Sequence, residues 1–138
     1  MTTLDYNIIS PEAERIDWLQ CTMIIELNKN FFHYIILHAS QTIVALKYYR
    51  ISLSSERTVV ELLEEIVAGD ELLGKNIPVS AIIYNMPESH LVPALFFNEE
   101  MNKDLLAIVH GDLRKDVVLW ERILNLDMYN IYLIPGEI

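Results

Sequence analysis

The chain has 138 residues, the length of one domain, and its 52% apolar and 22% charged content excludes a disordered protein. Twenty acidic residues against ten basic ones leave a net charge of −10. That balance argues against a nucleic-acid partner or an anionic membrane surface, because both recognise clusters of Lys and Arg.

The cysteine content and the apolar runs indicate the cellular location of the protein. Cys21 is the only cysteine, so it cannot form an intrachain disulfide, and its position before an apolar run predicts a buried thiol. The first 16 residues lack the basic and then apolar order of a secretory signal. No apolar run approaches the roughly 20 residues of a membrane span. We therefore expect a cytoplasmic protein.

Three strands are predicted in the first part of the chain, at residues 22–27, 31–37 and 42–50. Each is rich in β-branched and aromatic residues, and turns at residues 28–30 and 38–41 separate them. These connections are too short for a crossover helix, so the three strands must form an antiparallel meander.

A helix and a fourth strand follow. Ser54 or Ser55 is a candidate N-cap for a helix over residues 58–67 that ends at Ala68-Gly69. Its apolar residues have the spacing of a one-faced helix: Val59, Leu62, Leu63, Ile66 and Val67. The apolar run Val79–Tyr84 predicts a buried strand, and its arrival by a helical crossover from the third strand favours parallel pairing there.

The last third of the chain predicts further short elements. Residues 90–93 read as extended, and Pro93 is a candidate first residue of the helical turn that follows. Residues 94–108 predict a helix. Residues 116–124 are ambiguous between strand and helix, and we favour a strand. Residues 130–135 predict the final strand.

The sequence offers few residues for chemistry. Its four glycines form no GxGxxG or Walker spacing, and no GxSxG motif is present. The histidines show no metal-binding spacing: His33, His38, His90 and His110. Glu26 with Glu61 or Glu64 could in principle hold Mg²⁺, but a solvated acidic helix face explains these glutamates better. We therefore predict no catalytic, cofactor-binding or metal-binding residue.

Neighbouring aromatic residues on the predicted strands point to a partner. Phe31-Phe32 and Tyr48-Tyr49 must each place one ring on either face of the sheet. If no segment of the chain covers one face, the outward rings mark an interface. The expected partner is another protein or a second copy of the chain.

The order of three antiparallel strands, a helix and a parallel strand is that of the α/β ribonuclease H-like fold, which also forms each half of actin-like ATPases. Residues 22–27 with 31–37, residues 90–97 (His-Leu-Val-Pro-Ala-Leu-Phe-Phe) and residues 130–135 (Asn-Ile-Tyr-Leu-Ile-Pro) carry a closer likeness. They resemble an uncharacterised Bacteroidetes family, a domain of unknown function with an actin-like ATPase fold. The resemblance implies a meander followed by helix–strand units in a mixed sheet.

Members of that family resemble two such halves in tandem. The resemblance therefore implies that residues 1–138 form one ribonuclease H-like domain, the N-terminal half of a longer two-domain protein. It implies no known activity.

Three functions are compatible with this fold. The leading hypothesis is a non-catalytic domain that acts through protein contacts. The alternative is a nucleotide-binding ATPase that needs its second domain; the resemblance would put its phosphate loop at residues 26–30, where Asn28 and Asn30 flank Lys29 and no glycine is present. The third is a nuclease using Glu26, Glu61 and the position after Val79–Tyr84, where Asn85 stands instead of a carboxylate.

Overall fold

The computed structural model describes residues 1–54, 57–113 and 115–136. Its contacts divide the chain into two compact units, Met1–Asn85 and Met86–Ile138, called unit 1 and unit 2 below. Within the described residues, neither α-helix has the length and apolar character that a membrane crossing requires.

Unit 1 is built on one mixed sheet. Its strands are β1 (Thr2–Ile9), β2 (Cys21–Leu27), β3 (Phe31–His38), β4 (Ile43–Ile51) and β5 (Val79–Tyr84), in the order β1-β4-β3-β2-β5. The antiparallel meander of β2, β3 and β4 is confirmed. The parallel orientation of β5 is also confirmed, but β5 pairs with β2, the first strand of the meander, and not with the third. The crossover therefore spans the meander and adds β5 at its far edge. The prediction of a buried strand is wrong, because most side chains of this edge strand are exposed.

Strand β1 has no counterpart in the sequence-based prediction. It pairs antiparallel with β4, and a bulge between Leu4 and Tyr6 interrupts the register. Because it is an edge strand with most of both faces exposed, it has no alternation of buried and exposed residues that the sequence could reveal.

Helix α1 (Val59–Gly69) begins one turn later than a Ser54 cap would place it. Its N-cap is Thr58, whose hydroxyl accepts from the Glu61 N–H while the Glu61 carboxylate accepts from the Thr58 N–H, a capping box. Ser54 instead pairs with Arg57 in an isolated bridge, and Ser55 lies outside the described residues.

The apolar stripe of α1 is narrower than its sequence suggests. Leu62 and Ile66 are buried, whereas Val67 is 51% exposed. The buried stripe fixes which side of the helix packs on the sheet.

The described residues of unit 2 form an antiparallel sheet and one α-helix. Strands β6 (Ser89–Pro93), β7 (Val117–Ile123) and β8 (Met128–Ile134) lie in the order β6-β8-β7, and helix α2 spans Asn102–His110. The favoured strand at residues 116–124 is thus confirmed. The core joins these elements through Val92, Leu106, Leu113, Ile131 and Leu133.

The predicted helix over residues 94–108 is only partly correct. Two short 3₁₀ turns, Ala94–Phe96 and Glu99–Met101, come before α2. Pro93 ends β6 in an extended conformation, with ψ 140°, so it is not the first residue of a helix. The side chain of Asn98 accepts from the Glu100 N–H, and this local bond favours a separate turn over a continuous helix.

Candidate functional site

The carboxyl ends of the parallel strands β2 and β5 bring three polar side chains together. Glu26 lies one residue before the end of β2, and Asn85 directly follows β5. The Glu26 carboxylate accepts from Asn85 Nδ2 at 2.9 Å through Oε1, and its Oε2 lies 2.6 Å from His33 Nε2 on β3. Ligands of open α/β sheets bind at this edge, so these residues form the candidate site.

The site differs in one member from the nuclease hypothesis. Glu26 and the position after β5 meet as that hypothesis requires, but His33 completes the group and Glu61 does not. Glu61 is held in the capping box at the start of α1, and Glu64 is exposed on that helix. One carboxylate with an amide and an imidazole is not the oxygen-rich ligand set that Mg²⁺ prefers.

Hydrogen bonds keep the Glu26 carboxylate ionised. The bond to His33, then the bond to Asn85, lowers the pKa of Glu26, against a smaller opposing effect of burial. The His33 ring packs edge-on against Phe31 and Tyr48, with centroid distances of 5.5 Å and 5.8 Å. The arrangement can therefore orient an imidazole beside an anion, within a partly covered aromatic surface.

The N–H groups of the turn between β2 and β3 are hydrogen-bonded within the turn. Asn28 Oδ1 accepts from the N–H groups of Asn30 at 2.7 Å and Phe31 at 2.9 Å, and the Asn28 N–H donates to the Phe31 carbonyl at 2.9 Å. A phosphate-binding turn points such N–H groups at its ligand. Here the Asn28 side chain takes the place that a phosphate oxygen would need.

The remaining histidines and Cys21 are not part of the candidate site. His38 lies on the opposite face of β3 from His33, and its Nδ1 is 2.9 Å from Ser40 Oγ. Cys21 is buried, as predicted, and burial with the nearby Asp17 charge raises the pKa of its thiol. His90 and His110 lie close together in unit 2. In the described residues no group of three or more His, Cys, Asp or Glu could hold a metal ion.

A buried polar cluster in unit 1 was not predicted. Asp70, the residue after α1, accepts at Oδ1 from Lys47 Nζ and the Leu72 N–H, both at 2.9 Å. Its Oδ2 accepts from the Tyr34 hydroxyl at 2.8 Å and from the Tyr49 hydroxyl. Every bond joins the C-terminal end of α1 to β3, β4 or the following loop. We call Tyr34, Lys47, Tyr49 and Asp70 the Asp70 cluster.

The electrostatics of the Asp70 cluster are those of a structural anchor. Burial raises the pKa of the Asp70 carboxyl, but the bonds from Tyr49, Lys47, Tyr34 and the Leu72 N–H outweigh it, so its pKa lies below the ordinary value. Burial and the bond to Asp70 raise the pKa of both tyrosine hydroxyls. The carboxylate is fully hydrogen-bonded, as a buried charge requires.

The Asp70 cluster also identifies the other face of the sheet. Because α1 is anchored on the face of Tyr34, Lys47 and Tyr49, the alternate residues lie on the opposite face, which we call the open face. One cross-strand row there is Tyr6–Tyr48–His33–Glu26–Ile83. The next row is aliphatic: Ile8–Leu46–Ile35–Ile24–Ala81. The candidate site is thus part of a continuous, largely apolar surface.

The family model for "Protein of unknown function (DUF3822)" matches residues 12–138. The chain belongs to the DUF3822 family. No curated protein matches the sequence significantly.

A solved structure extends the DUF3822 assignment to the fold. The chain is similar to a crystal structure from Bacteroides thetaiotaomicron VPI-5482, a protein with an actin-like ATPase fold and unknown function, with a TM-score of 0.75 and 17% identity. The match covers 88% of this chain and 48% of that one, so the chain spans about half the length of its solved neighbour. This likeness shows the actin-like fold, and the activity of the family is unknown.

Proposed function

We propose that this chain is a non-catalytic, protein-binding domain of actin-like fold. Its partner in this proposal is a second domain that follows it in a longer bacterial protein. The observation that carries the proposal is the open face of the five-stranded sheet, and the length of the solved neighbour supports the identity of the partner. The bacterial origin of that neighbour supports a bacterial source, and the single buried Cys21 is typical of a cytoplasmic protein.

The open face has the composition of a surface that is normally covered. Tyr6, Ile8 and Ile83 are 61%, 59% and 49% exposed, although each belongs to a cross-strand row of large side chains. Contiguous exposed apolar side chains of this kind mark interaction surfaces, and α1, the one α-helix in the described part of unit 1, lies on the other face. Completing the burial of each of these side chains would contribute on the order of 1 kcal/mol to association.

The chemistry of the turn between β2 and β3 supports the non-catalytic part of the proposal. Nucleotide binding at this place needs backbone donors aimed outward, and the Asn28 side chain already accepts from two of them. The net charge of −10 also repels a polyphosphate. A Mg²⁺ ion would neutralise part of that charge but would not free the two donors.

Isothermal titration with Mg-ATP tests the non-catalytic part. We expect no binding by residues 1–138 at micromolar ligand. The matched variant Asn28→Gly frees the two N–H groups, so any gain of binding in this variant alone would support the role given to the Asn28 side chain. Stoichiometric, micromolar binding by the unmodified chain would refute the proposal and favour the ATPase alternative.

Two experiments test the identity of the partner: the gene sequence after residue 138, and titration with the polypeptide that it encodes. A stop codon directly after Ile138 would refute a second domain in the same protein. Otherwise, the polypeptide encoded downstream is produced separately and titrated into residues 1–138. We expect Ile8→Glu on the open face to weaken this binding at least tenfold. The control Leu19→Glu should leave it unchanged, because Leu19 is 84% exposed on a 3₁₀ turn outside the sheet rows. Equal effects of the two variants would refute the open face as the interface.

A further inference from the structure

Unit 2 brings two histidines together from distant positions in its sequence. His90 lies on β6 and His110 is the last residue of α2. Their ring centroids are 5.2 Å apart and the ring planes are inclined by 34°. Both side chains are half-buried, and the Nε2 atom of each is fully buried without a hydrogen-bond partner. Buried polar nitrogens usually have a partner, so two such atoms in neighbouring rings indicate a shared ligand.

The ring separation fits a tetrahedral metal ion. Zinc binds a histidine nitrogen at about 2.0–2.1 Å, and a structural or catalytic zinc site is usually tetrahedral. An ion placed on the Nε2 side of two imidazoles at the tetrahedral angle sets their centroids about 5.2 Å apart, from that bond length and the size of the ring. The observed separation is 5.2 Å. The separation of the two rings therefore matches the one that a shared ion requires.

The local backbone and charge also favour a cation. Gly111 adopts φ +84°, a conformation that L side chains rarely take, and so α2 stops directly after His110. The carbonyl end of a helix carries partial negative charge, which stabilises a cation in its last turn. The net charge of −10 adds a field of the same sign.

We propose that His90 and His110 bind a divalent transition-metal ion of the zinc class through their Nε2 atoms. Imidazole nitrogens suit zinc, copper and nickel and do not suit Mg²⁺ or Ca²⁺. Because the described residues supply no third His, Cys, Asp or Glu to such a group, water oxygens complete the coordination. The ion joins the end of α2 to β6, and binding stabilises unit 2 by mass action.

The test is titration of ZnCl₂ into the tag-free chain. Calorimetry measures the binding, and thermal unfolding measures the change in the midpoint. We expect saturable binding of one ion per chain and a rise in the midpoint, with no response to MgCl₂. His90→Gln and His110→Gln should each weaken binding roughly 10–100-fold or more, and the double variant should add little further. His33→Gln is the matched control and should leave zinc binding unchanged. It is chosen because His33 with Glu26 is another imidazole site that could attract zinc.

A second measurement needs no substitution. In the unmodified chain labelled with ¹⁵N-histidine, zinc should shift the ring nitrogens of His90 and His110 and leave those of His33 and His38 unchanged. This result stands even if a glutamine variant fails to fold, which circular dichroism would reveal. Absence of zinc binding, or shifts confined to His33 or His38, would overturn the proposal.

Discussion

The substitution Asp70→Asn tests how much the charge of Asp70 stabilises the fold while the volume of its side chain is kept. Asparagine has nearly the volume of aspartate, so the substitution leaves no cavity, but it removes the anion opposite the Lys47 ammonium. The Asp70 side chain is 0% exposed and that of Lys47 is 11% exposed, so water cannot replace the lost partner. Removing one member of a buried ion pair typically costs about 3–5 kcal/mol. We expect a loss of this size in the free energy of unfolding, a large part of the stability of a domain this small.

Urea unfolding followed by circular dichroism measures this loss, and two further variants isolate its cause. Asp5→Asn removes the anion of the Arg50–Asp5 pair, where the Arg50 side chain is 59% exposed, and should cost only about 0–1 kcal/mol. Adding Lys47→Met to Asp70→Asn removes the unpaired buried ammonium, so it should recover about 1 kcal/mol or more. If Asp70→Asn costs no more than Asp5→Asn, the Asp70 cluster does not stabilise the fold as we argue.

The pH dependence of stability gives an independent reading of the same carboxylate. The pKa of Asp70 is lower in the folded chain than its ordinary value of about 4. Such a group contributes stability that is fully present above its unfolded pKa and is lost as the pH falls through its folded pKa. We therefore expect the unmodified chain to lose stability more steeply below about pH 4 than Asp70→Asn does. Parallel acid titration curves of unfolding free energy would contradict this assignment.

Two further pairs of variants test the packing. Leu62→Asp would bury a carboxylate under α1 and should lower the free energy of unfolding by on the order of 3 kcal/mol. Val67→Asp, on the exposed side of the helix, should lower it by about 0.5 kcal/mol or less. Equal thermal midpoints of the two variants would show that Leu62 faces solvent. Gly136→Ala would place a Cβ 1.8 Å from the Lys115 carbonyl oxygen and should lower the free energy of unfolding by about 1–3 kcal/mol. The Cβ of Gly69→Ala would meet no atom within 4 Å, so this variant should raise the free energy of unfolding by up to about 1 kcal/mol. A Gly136→Ala chain as stable as the unmodified one would show that this close approach relaxes freely.

The central part of unit 1 could be predicted because local signals determine it. Short connections force β2, β3 and β4 to be antiparallel, and the helical crossover after β4 returns the chain so that β5 runs in the direction of β4. The sequence did not indicate that β5 pairs with β2 instead of β4. The edge strand β1 gave no such signal, since its exposed faces remove the alternation on which strand prediction depends. The Asp70 cluster could not be predicted either, because its hydrogen bonds join residues 21 to 36 positions apart. Only the register of the sheet shows that these side chains meet.

That register also supports the proposal that the protein acts through the sheet and not through the turn. Tyr48 and Tyr49 are adjacent, so the pleat sends them to opposite faces: Tyr49 donates to the buried Asp70, whereas Tyr48 stacks on Phe31 at 5.5 Å and lies beside Tyr6 on the open face. One face thus has its covering helix and a satisfied charge, while the other retains large rings and aliphatic rows. The turn at Asn28, by contrast, satisfies its own donors. An interface on the open face would therefore bury the rings and aliphatic side chains that the fold leaves exposed. A nucleotide at the turn would first have to displace the Asn28 side chain from N–H groups that already have a partner.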